Sequence, residues 1–412
     1  MPLAARALRH DPHQAEILAG TPEDTAAPAA LDLVTTLDGF RALEDDWNDL
    51  FARAGTNRHL FQTFNWLWHW ANHFLPQTAG ADTSLAIVTA RRDGRLVMVW
   101  PLVAERAGPV TQLVWMGEPV SQYGDLIVEA GPDTGALLDA SWRFVAERTG
   151  ADVLRLRKVR QDSNVAALLE TLGGIVTSEL KAPYLDLASA PSFDAYEKRY
   201  SSGAKRNRKR QRRRLEERGP AGLIAVKGGE EAAALTAQAF TLKQDWLRQR
   251  GIVSPAFADP RTERFFADVT RAETRPAGCH VLALTCNGAP VALEIGVRCL
   301  GRSAIHIIAY DAAFEKTAAG ALLMEDSIRH AFEDGMTVFD LLAPGDGYKL
   351  EWADDAMIVR DWAQPISLAG RAYATLYLRF LRNASKRALD RLPVGARRLA
   401  TQALARWMRP AA

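Results

Sequence analysis

The stretch from Cys279 to Asp340 decides the fold, and it reads CHVLALTCNGAPVALEIGVRCLGRSAIHIIAYDAAFEKTAAGALLMEDSIRHAFEDGMTVFD. The apolar run VLALT meets a second run, VALEIGV, across Asn287-Gly288, a two-residue pair typical of a tight hairpin. A third strand, SAIHIIAYD, is followed by a loop of small residues that opens an amphipathic helix at Gly320, and then by the strand TVFDLL. Such a helix start presents free backbone N–H groups and the positive end of the helix dipole, which suits an anion.

The rest of the chain alternates in the same way. The first half predicts the strand LDLV, helices at 38–53 and around FNWLWHWANHF, a hairpin turning at Asp93-Gly94, a helix near 133–148 and further strands VLRLRKV and YLDL. The second half predicts a basic helix, the strand GLIAVKG, helices at 231–250 and 260–274, and then the stretch quoted above. We therefore predict an α/β (α+β) fold in which mixed, mostly antiparallel sheets are flanked by helices.

The repeated order of elements predicts two related domains, 31–190 and 191–370. We expect residues 1–30 to form a disordered leader, because they are rich in Ala, Pro, Asp and His and lack a continuous apolar run. Residues 371–412 predict a cationic amphipathic tail of two helices, broken at Pro393 and Gly395.

Charge is distributed unevenly along a chain whose formal net charge is only +2. From Arg371 onward there are ten Lys or Arg residues against one acid, Asp390, so the tail carries +9 and residues 1–370 carry −7. A second basic run, 205–218, has nine basic residues and two acids. Two basic segments on a mildly acidic body indicate anionic partners at particular places.

The three cysteines, Cys279, Cys286 and Cys299, have no CxxC spacing and fall in predicted strands of one domain. We interpret them as buried thiols in a protein of the reducing cytoplasm. No run of residues is long and apolar enough to span a membrane.

Several motifs, taken in order, resemble the GNAT N-acyltransferases, in particular the two-domain FemAB-like and CelD-type (cellulose-biosynthesis-associated) group. They cover about 60–370 and are FQTFNWLWHW, YSSGAKRNRKRQRRRLEERG, LKQDWLRQRG, PVALEIGVR, AYDAAFEKTAAGALLMEDSI, FEDGMTVFDLL and GDGYKLEW. The resemblance implies two tandem GNAT-like domains, with acyl-CoA bound as a cosubstrate by the second domain and no permanently bound cofactor. One departure is the loop before the helix, which here reads KTAAG instead of the Ser-Pro-Gly common in the group.

The resemblance also implies where the chemistry lies. The donor phosphates would bind at Lys316, Thr317, Ala319 and Gly320, where the small-residue loop meets the helix. Transfer from a thioester to an amine needs a neutral amine, a polarised carbonyl, an aligned geometry and a protonated leaving thiol. We expect Glu294 or His306 to take the proton from the amine and Tyr310 to give one to the thiolate.

The strand pattern is consistent with a Glu294 side chain that faces the substrate, and it also leaves other interpretations open. Ala292 and Gly296 flank Glu294 on one strand face and would leave room for a substrate, but the carboxylate could equally pair with Arg298. His306 in an apolar strand could be a hydrogen-bonded core histidine. Asp311 could act in catalysis or cap a turn.

Further candidates lie near the acceptor end of the site. Asp340 ends a strand and could face a ligand or form a buried cap. Tyr348, Lys349 and Trp352 belong to GDGYKLEW, which resembles a family motif near the acceptor, although the segment could also be a loop that packs an aromatic side chain.

Unrelated classes of function lack their signatures. There is no Walker A loop, GxGxxG, GxSxG or HExxH motif. His69 and His73 lie four apart on a predicted helix, but no third ligand is apparent, so we expect no metal. We do not expect nucleic acid to bind the basic run 205–218, because few aromatic residues are interleaved in it. The run could form a solvated helix face, or it could contact CoA phosphates, an acyl-carrier protein or anionic lipid.

The tail is the best indication of the acceptor. Its apolar and aromatic side chains recur at helical spacing beside many arginines, a pattern that suits the surface of an anionic membrane, although packing on the protein body is equally consistent. We rank a long-chain lipid amine first, such as a sphingoid base giving a ceramide-like product, and an amino sugar of a surface polysaccharide or envelope second. FemAB-like aminoacyl transfer and a non-catalytic envelope scaffold rank below these. We expect a cytoplasmic protein, either free or peripheral on the inner face of the membrane.

Overall fold

The computed structural model describes residues 29–75, 82–252 and 254–381. Its strands are β1 Ala30–Val34, β2 Thr83–Leu85, β3 Ile87–Arg92, β4 Arg95–Trp100, β5 Leu102–Ala107, β6 Val110–Trp115, β7 Ile127–Val128, β8 Val153–Arg160, β9 Ile175–Asp186, β10 Ala221–Val226, β11 Ala277–Cys286, β12 Ala289–Cys299, β13 Arg302–Tyr310, β14 Val338–Asp340 and β15 Asp355–Pro365. The predicted mixture of α and β structure is confirmed.

The helices lie between these strands in both halves. They are α1 Leu37–Arg41, α2 Glu44–Ala54, α3 Phe64–Phe74, α4 Thr134–Arg148, α5 Asn164–Thr171, α6 Phe193–Glu197, α7 Ser202–Glu216, α8 Gly229–Gln249, α9 Pro255–Ala258, α10 Pro260–Arg271, α11 Ala319–Glu333, α12 Gly347–Trp352 and α13 Leu368–Ala372. A π-helical segment, Tyr373–Leu381, follows α13.

One large sheet runs through both halves of the chain. Its strands lie in the order β10-β11-β12-β13-β14-β9-β15-β8-β6-β5-β2, and a smaller sheet has the order β1-β3-β4-β7. β15, late in the chain, pairs with β8 and β9 of the first half. The predicted boundary near residue 190 therefore separates two runs of sequence whose strands share a sheet.

The antiparallel meander β11-β12-β13 positions the candidate site. Asn287 and Gly288 both have positive φ, and their turn joins β11 to β12 as predicted. In the next pair, Ile295 faces Ile307 but Gly296 faces Ile305, so His306 is an extra residue on β13. This β-bulge bends β13 where it approaches the rest of the sheet.

The short strand β14 pairs with only the beginning of β13. Their parallel pairing runs from Arg302↔Val338 to Ala304↔Asp340 and then ends. β13 continues to Tyr310, whereas β14 stops, so the two chains separate and leave an open strand edge. α11 packs on one face of the meander and α8 and α10 on the other.

The two halves also share their largest apolar core. Trp66 of α3 lies edge-on to Phe265 of α10, with ring centroids 5.0 Å apart. Ile295 and Ile307 of the meander belong to the same cluster of buried side chains. Burial of this continuous apolar surface fixes one half against the other.

The remaining sequence predictions have separate outcomes. The three cysteines are buried and free, as expected. Tail residues beyond 381 and leader residues up to 28 lie outside the described residues, while Ala30 already belongs to β1. In the described part of the chain no helix is long and apolar enough to cross a membrane.

Candidate active site

A cavity of about 530 Å³ lies between β13 and the segment after β14, and we call it the β13 cavity. Its lining comes from the end of β13, the start of α11, one face of α8 and helix α12: Lys243, Trp246, Ile308, Ala309, Tyr310, Glu315, Ala318, Ala319, Gly320, Ala321, Met324, Asp346, Tyr348, Glu351 and Trp352. A smaller cavity of about 160 Å³ shares Lys243, Ile308 and Tyr348 with it and extends to His306 and Lys349. Together they form an elongated space along the open edge of β13.

One end of the β13 cavity is the N-terminus of α11. Ala318 has a left-handed φ of 54° and precedes the helix without a side-chain cap. Among the described residues, no hydrogen-bond acceptor meets the N–H groups of Ala319 and Gly320. A Cβ on Gly320 would lie 3.1 Å from Cδ1 of Tyr310, so glycine lets the helix start close to this ring. Free N–H groups and the positive end of the helix dipole favour an anion at this end.

Two side chains of α8 complete this end of the cavity. The indole Nε1 of Trp246 donates to the hydroxyl oxygen of Tyr310 over 3.0 Å. Nζ of Lys243 donates to the carbonyl oxygen of Ile308 over 3.2 Å, and burial lowers the pKa of this lysine. The motif LKQDWLRQRG carries part of the family resemblance, but the sequence alone did not predict a role for Lys243 or Trp246. Their spacing of three residues, which places both on one face of a helix, is the sequence feature that could have indicated a shared site.

His306 stands at the other end of the space, on the β13 bulge. Its Nε2 lies 2.5 Å from the carbonyl oxygen of Val120, and because a carbonyl only accepts, Nε2 carries the hydrogen. Nδ1 is buried without a hydrogen-bond partner in the described structure, so its lone pair is free. Burial lowers the pKa of His306 to about 4, which keeps the ring neutral at physiological pH. The ring of Phe266 packs against it with centroids 4.7 Å apart.

Glu294 does not line either cavity, which corrects the expectation of a substrate beside it. The space left by Gly296 is filled by His280, because a Cβ on Gly296 would lie 2.2 Å from Cε1 of that ring. Ser327 of α11 donates to Oε1 of Glu294 over 2.8 Å. The carboxyl group is fully buried, and burial raises its pKa to about 7. Nor does Glu294 pair with Arg298, whose guanidinium contacts Asp334 instead.

Of the predicted site residues between β13 and the start of α11, some line the β13 cavity and others do not. The side chain of Asp311 accepts from the N–H of Ala313 over 2.8 Å and caps the 3-10 turn Ala312–Thr317, in agreement with the capping interpretation. Thr317 is buried and donates to the carbonyl oxygen of Phe314, while Lys316 is exposed. Neither Lys316 nor Thr317 lines the β13 cavity, although Ala319 and Gly320 do.

Asp340 is a buried junction between the two halves and lines neither cavity. Its carboxylate accepts from the hydroxyl of Tyr123 over 2.9 Å and from the guanidinium of Arg302 over 2.6 Å. It also accepts a hydrogen bond from the backbone N–H of Leu342 over 2.9 Å. All these contacts are internal, so the structure places Asp340 as a strand-end cap that ties β14 to the first half.

The motif GDGYKLEW forms α12 and does border the cavities. Tyr348 lines both spaces, and burial raises the pKa of its phenol. Nζ of Lys349 donates to the carbonyl oxygens of Leu342 and Pro344, over 3.2 Å and 3.1 Å. Trp352 lies edge-on to Tyr200 with ring centroids 5.6 Å apart.

The basic helix α7 is partly neutralised by α11. Nε of Arg208 donates to Glu325 over 2.7 Å, and Arg212 pairs with Asp326. The outward side chains Arg206, Lys209, Arg210 and Arg214 stay exposed or half-exposed. A solvated face and a face bound to α11 therefore coexist in this helix.

His69 and His73 meet the carboxylate of Asp268 on α10. The nitrogen-to-oxygen distances are 2.8 Å and 3.1 Å. Although burial acts to raise the pKa of Asp268, the hydrogen bonds from the two rings hold it below its usual value. Within the described ranges no group of three or more His, Cys, Asp or Glu side chains has an arrangement that could hold a metal ion.

Comparison with known proteins agrees with this architecture. Residues 202–350 match the family described as an acetyltransferase (GNAT) domain. No curated protein matches the chain. FemX superposes with a TM-score of 0.55 at 12% identity, over 84% of this chain and 99% of FemX. A conserved protein of unknown function from Bacteroides thetaiotaomicron gives 0.50 at 12% identity, over 81% and 99% of the two chains.

A tandem GNAT protein from the clavulanic acid biosynthesis pathway is also similar, with a TM-score of 0.47 at 14% identity over 82% of this chain and 99% of that one. At 12% identity, the likenesses to FemX and to the Bacteroides thetaiotaomicron protein show the fold alone. The match to the acetyltransferase (GNAT) domain covers α7, the meander, α11 and most of the residues that line the β13 cavity, and it supports an acyltransferase activity for this part of the chain. The narrower assignment to the CelD-type group remains a prediction.

Proposed function

We propose that this acyltransferase moves an acyl group from acyl-CoA to an amine, with the donor lying along the open edge of β13. One observation supports this most directly: the pairing of β13 with β14 ends at Ala304, and the resulting gap contains a cavity of about 530 Å³. That space begins at free N–H groups and leads on to a neutral histidine. It therefore suits a long flexible molecule with phosphates at one end and a reactive thioester at the other.

The donor phosphates would bind at the N-terminus of α11. There the N–H groups of Ala319 and Gly320 have no acceptor among the described residues and point along the helix dipole. Tyr310 belongs to the same end, because its ring lies against Gly320. Since Trp246 donates to the hydroxyl oxygen of Tyr310, the O–H of this tyrosine is available for a phosphate oxygen.

The thioester would lie near His306. Four residues along a strand span about 13 Å, so His306 and Tyr310 serve different parts of one extended donor. The amine nitrogen attacks the thioester carbonyl, forms the new C–N bond and gives a proton to Nδ1 of His306, directly or through one water. The C–S bond then breaks. The departing thiolate takes a proton from the phenol of Tyr348, which borders the smaller cavity beside His306.

A direct assay tests this proposal. Purified protein, mixed with acyl-CoA of varied chain length and with candidate amines, should release free thiol in proportion to amide formed. Isothermal titration with CoA alone should give one site. Release of no thiol from any combination, together with no CoA binding, would refute acyl transfer from CoA.

For the acceptor we favour a lipid amine presented at an anionic membrane, because apolar side chains stay exposed where the described chain ends. Leu376, Phe380 and Leu381 of the π-helical segment are each more than half exposed, at 60%, 58% and 57%. The sequence that follows is strongly cationic. Exposed apolar groups beside many cations suit insertion into the headgroup region of anionic lipid.

The membrane role has its own test. Vesicles of phosphatidylglycerol and phosphatidylcholine should bind the full chain, and vesicles of phosphatidylcholine alone should bind it much less. Deletion of residues 371–412 should remove that binding while CoA binding is kept. Equal vesicle binding with and without this segment would exclude the segment as the membrane contact, and no vesicle binding by the full chain would favour a water-soluble acceptor such as an amino sugar.

A further inference from the structure

We propose that the second half of the chain holds another ligand site, which binds a small anion bearing a carboxylate or phosphate group. The site is a pocket of about 330 Å³, here called the Arg298 pocket. It is lined by Lys227, Glu273, Thr274, Arg275, Pro276, Gly278, Cys279, His280, Arg298, Cys299, Leu300, Gly301, Asp334 and Met336. None of these residues lines the β13 cavity.

The Arg298 pocket lies at the opposite end of the meander from the β13 cavity. It is formed where β11 begins, where β12 ends at Cys299, and where the chain leaves α11 at Asp334. The N-terminus of α11 borders the β13 cavity, whereas its C-terminal end borders this pocket. A ligand here is therefore separate from the proposed acyl donor.

Buried polar atoms in this pocket lack hydrogen-bond partners within the described structure. His280 is only 5% exposed, yet neither ring nitrogen makes a hydrogen bond there, and the nearest carboxylate oxygen, Oε1 of Glu294, lies 3.6 Å from Nε2. A terminal nitrogen of Arg298, Nη2, is also buried and without a hydrogen-bond partner there. Leaving such donors unmet is costly, so their presence at a cavity wall indicates a partner that enters the cavity.

The charge of the lining selects an anion. Three cations face two carboxylates, and one of these, Asp334, already contacts Arg298 and also lies 3.4 Å from His330. Lys227 and Arg275 are exposed at the rim and form no ion pair with a described carboxylate. The excess of positive charge and the guanidinium edge of Arg298 match the two oxygens of a carboxylate or phosphate.

The two thiols of the wall do not add a different chemistry. Burial raises the pKa of both Cys279 and Cys299 to about 12, so each stays a neutral thiol. His280 is held neutral as well, because burial lowers its pKa. One of its ring nitrogens then carries a hydrogen that an anion oxygen can accept.

Titration calorimetry with inorganic phosphate and with acetate, at constant ionic strength set by chloride, tests the site. We expect saturable binding of at least one probe at one site per chain. The rim variant Lys227→Gln/Arg275→Gln should lose roughly tenfold or more in affinity, while the matched variant Lys209→Gln/Arg210→Gln, on the exposed face of α7, should not. Binding of CoA should be equal in all three proteins.

Three results would overturn the proposal. The first is that neither probe binds the folded wild type saturably. The second is that the rim variant leaves binding unchanged, which would place the anion elsewhere, such as at the start of α11. To separate these locations, Gly320→Val should leave phosphate or acetate binding intact, and loss of that binding in Gly320→Val would also contradict the Arg298 pocket.

Discussion

Trp246 donates its indole N–H to the hydroxyl oxygen of Tyr310, and the two atoms are 3.0 Å apart. This bond fixes the direction of the phenol, so the tyrosine O–H points away from α8. The ring of Tyr310 also lies against Gly320, so Tyr310 is held at the end of the cavity where α11 begins. A proton donor for the leaving thiol has to come from the other end.

Replacing each tyrosine by phenylalanine should therefore have different kinetic effects. Tyr310→Phe should raise KM for acyl-CoA about tenfold with kcat nearly kept, because it removes a hydrogen bond to the bound donor. Tyr348→Phe should instead lower kcat by roughly 10²-fold, because the thiolate then leaves unprotonated. Steady-state kinetics with thiol detection measures both values. The reverse pattern would restore Tyr310 as the acid.

Gly320→Val should block the phosphate end of the site. A Cβ there already lies 3.1 Å from Tyr310, and the two further methyl groups would occupy the space next to the free N–H groups. We expect CoA affinity to fall roughly tenfold or more, measured by calorimetry, with an unchanged circular dichroism spectrum. Gly347→Ala is the matched control, because a Cβ on Gly347 meets nothing within 4 Å. Equal CoA affinity in Gly320→Val would place the phosphates elsewhere.

The pH dependence of turnover should show no contribution from His306 near neutrality. Burial lowers the pKa of this ring to about 4, so it is neutral and able to accept a proton throughout the range from about pH 6 to 8. His306→Asn should lower kcat at every pH in that range by a constant factor. A limb of the wild-type profile near neutrality that disappears in His306→Asn would contradict this assignment.

Much of the fold followed from local sequence, while the site depended on long-range packing. Asn287-Gly288 specified its hairpin because both residues tolerate positive φ, and Gly320 specified a close helix start. β15 was not anticipated, because its strand MIVRDWAQ pairs only with distant strands of the first half. GDGYKLEW, for which a packing loop was one of the interpretations, contains α12, Gly347–Trp352.

The role expected for Glu294 shows why strand periodicity alone was insufficient. Alternation correctly placed Ala292, Glu294 and Gly296 on one face, but it does not say what covers that face. His280, from the neighbouring strand, fills the space over Gly296, and Ser327 of α11 meets the carboxylate. Both contacts join residues far apart in sequence. Lys243 and Trp246 were missed for the same reason, since only the packing of α8 brings them to β13.

Asp340→Asn should destabilise the fold more than it affects donor binding. The change leaves the buried guanidinium of Arg302 without its carboxylate, and breaking a buried pair costs about 3–5 kcal/mol. Urea unfolding measures the loss. Glu179→Gln, which removes the partly exposed pair with Arg360, is the control and should cost less than about 1 kcal/mol. Unchanged stability with weakened substrate binding would instead make Asp340 a ligand residue.

Glu294→Gln should make the protein more stable at alkaline pH. Burial raises the native pKa of Glu294 to about 7 from an ordinary value of 4.5, so the native state binds this proton more tightly than the unfolded chain does. The stability from the protonated form is complete below pH 4.5 and is lost as the pH rises to about 7, which amounts to on the order of 3 kcal/mol. Glutamine cannot ionise and keeps the shape of the side chain.

The free energy of unfolding of Glu294→Gln should thus exceed that of the wild type at about pH 8, and the difference should shrink towards pH 4.5. Urea unfolding at several pH values measures it, and Glu231→Gln, at an exposed position of α8, should show no such pH-dependent gain. Turnover should stay within about twofold, because the carboxyl group contacts Ser327 and not the cavity. A large loss of kcat in a variant that is as stable as predicted would mean that Glu294 acts on the substrate after all, and that the meander opens during catalysis.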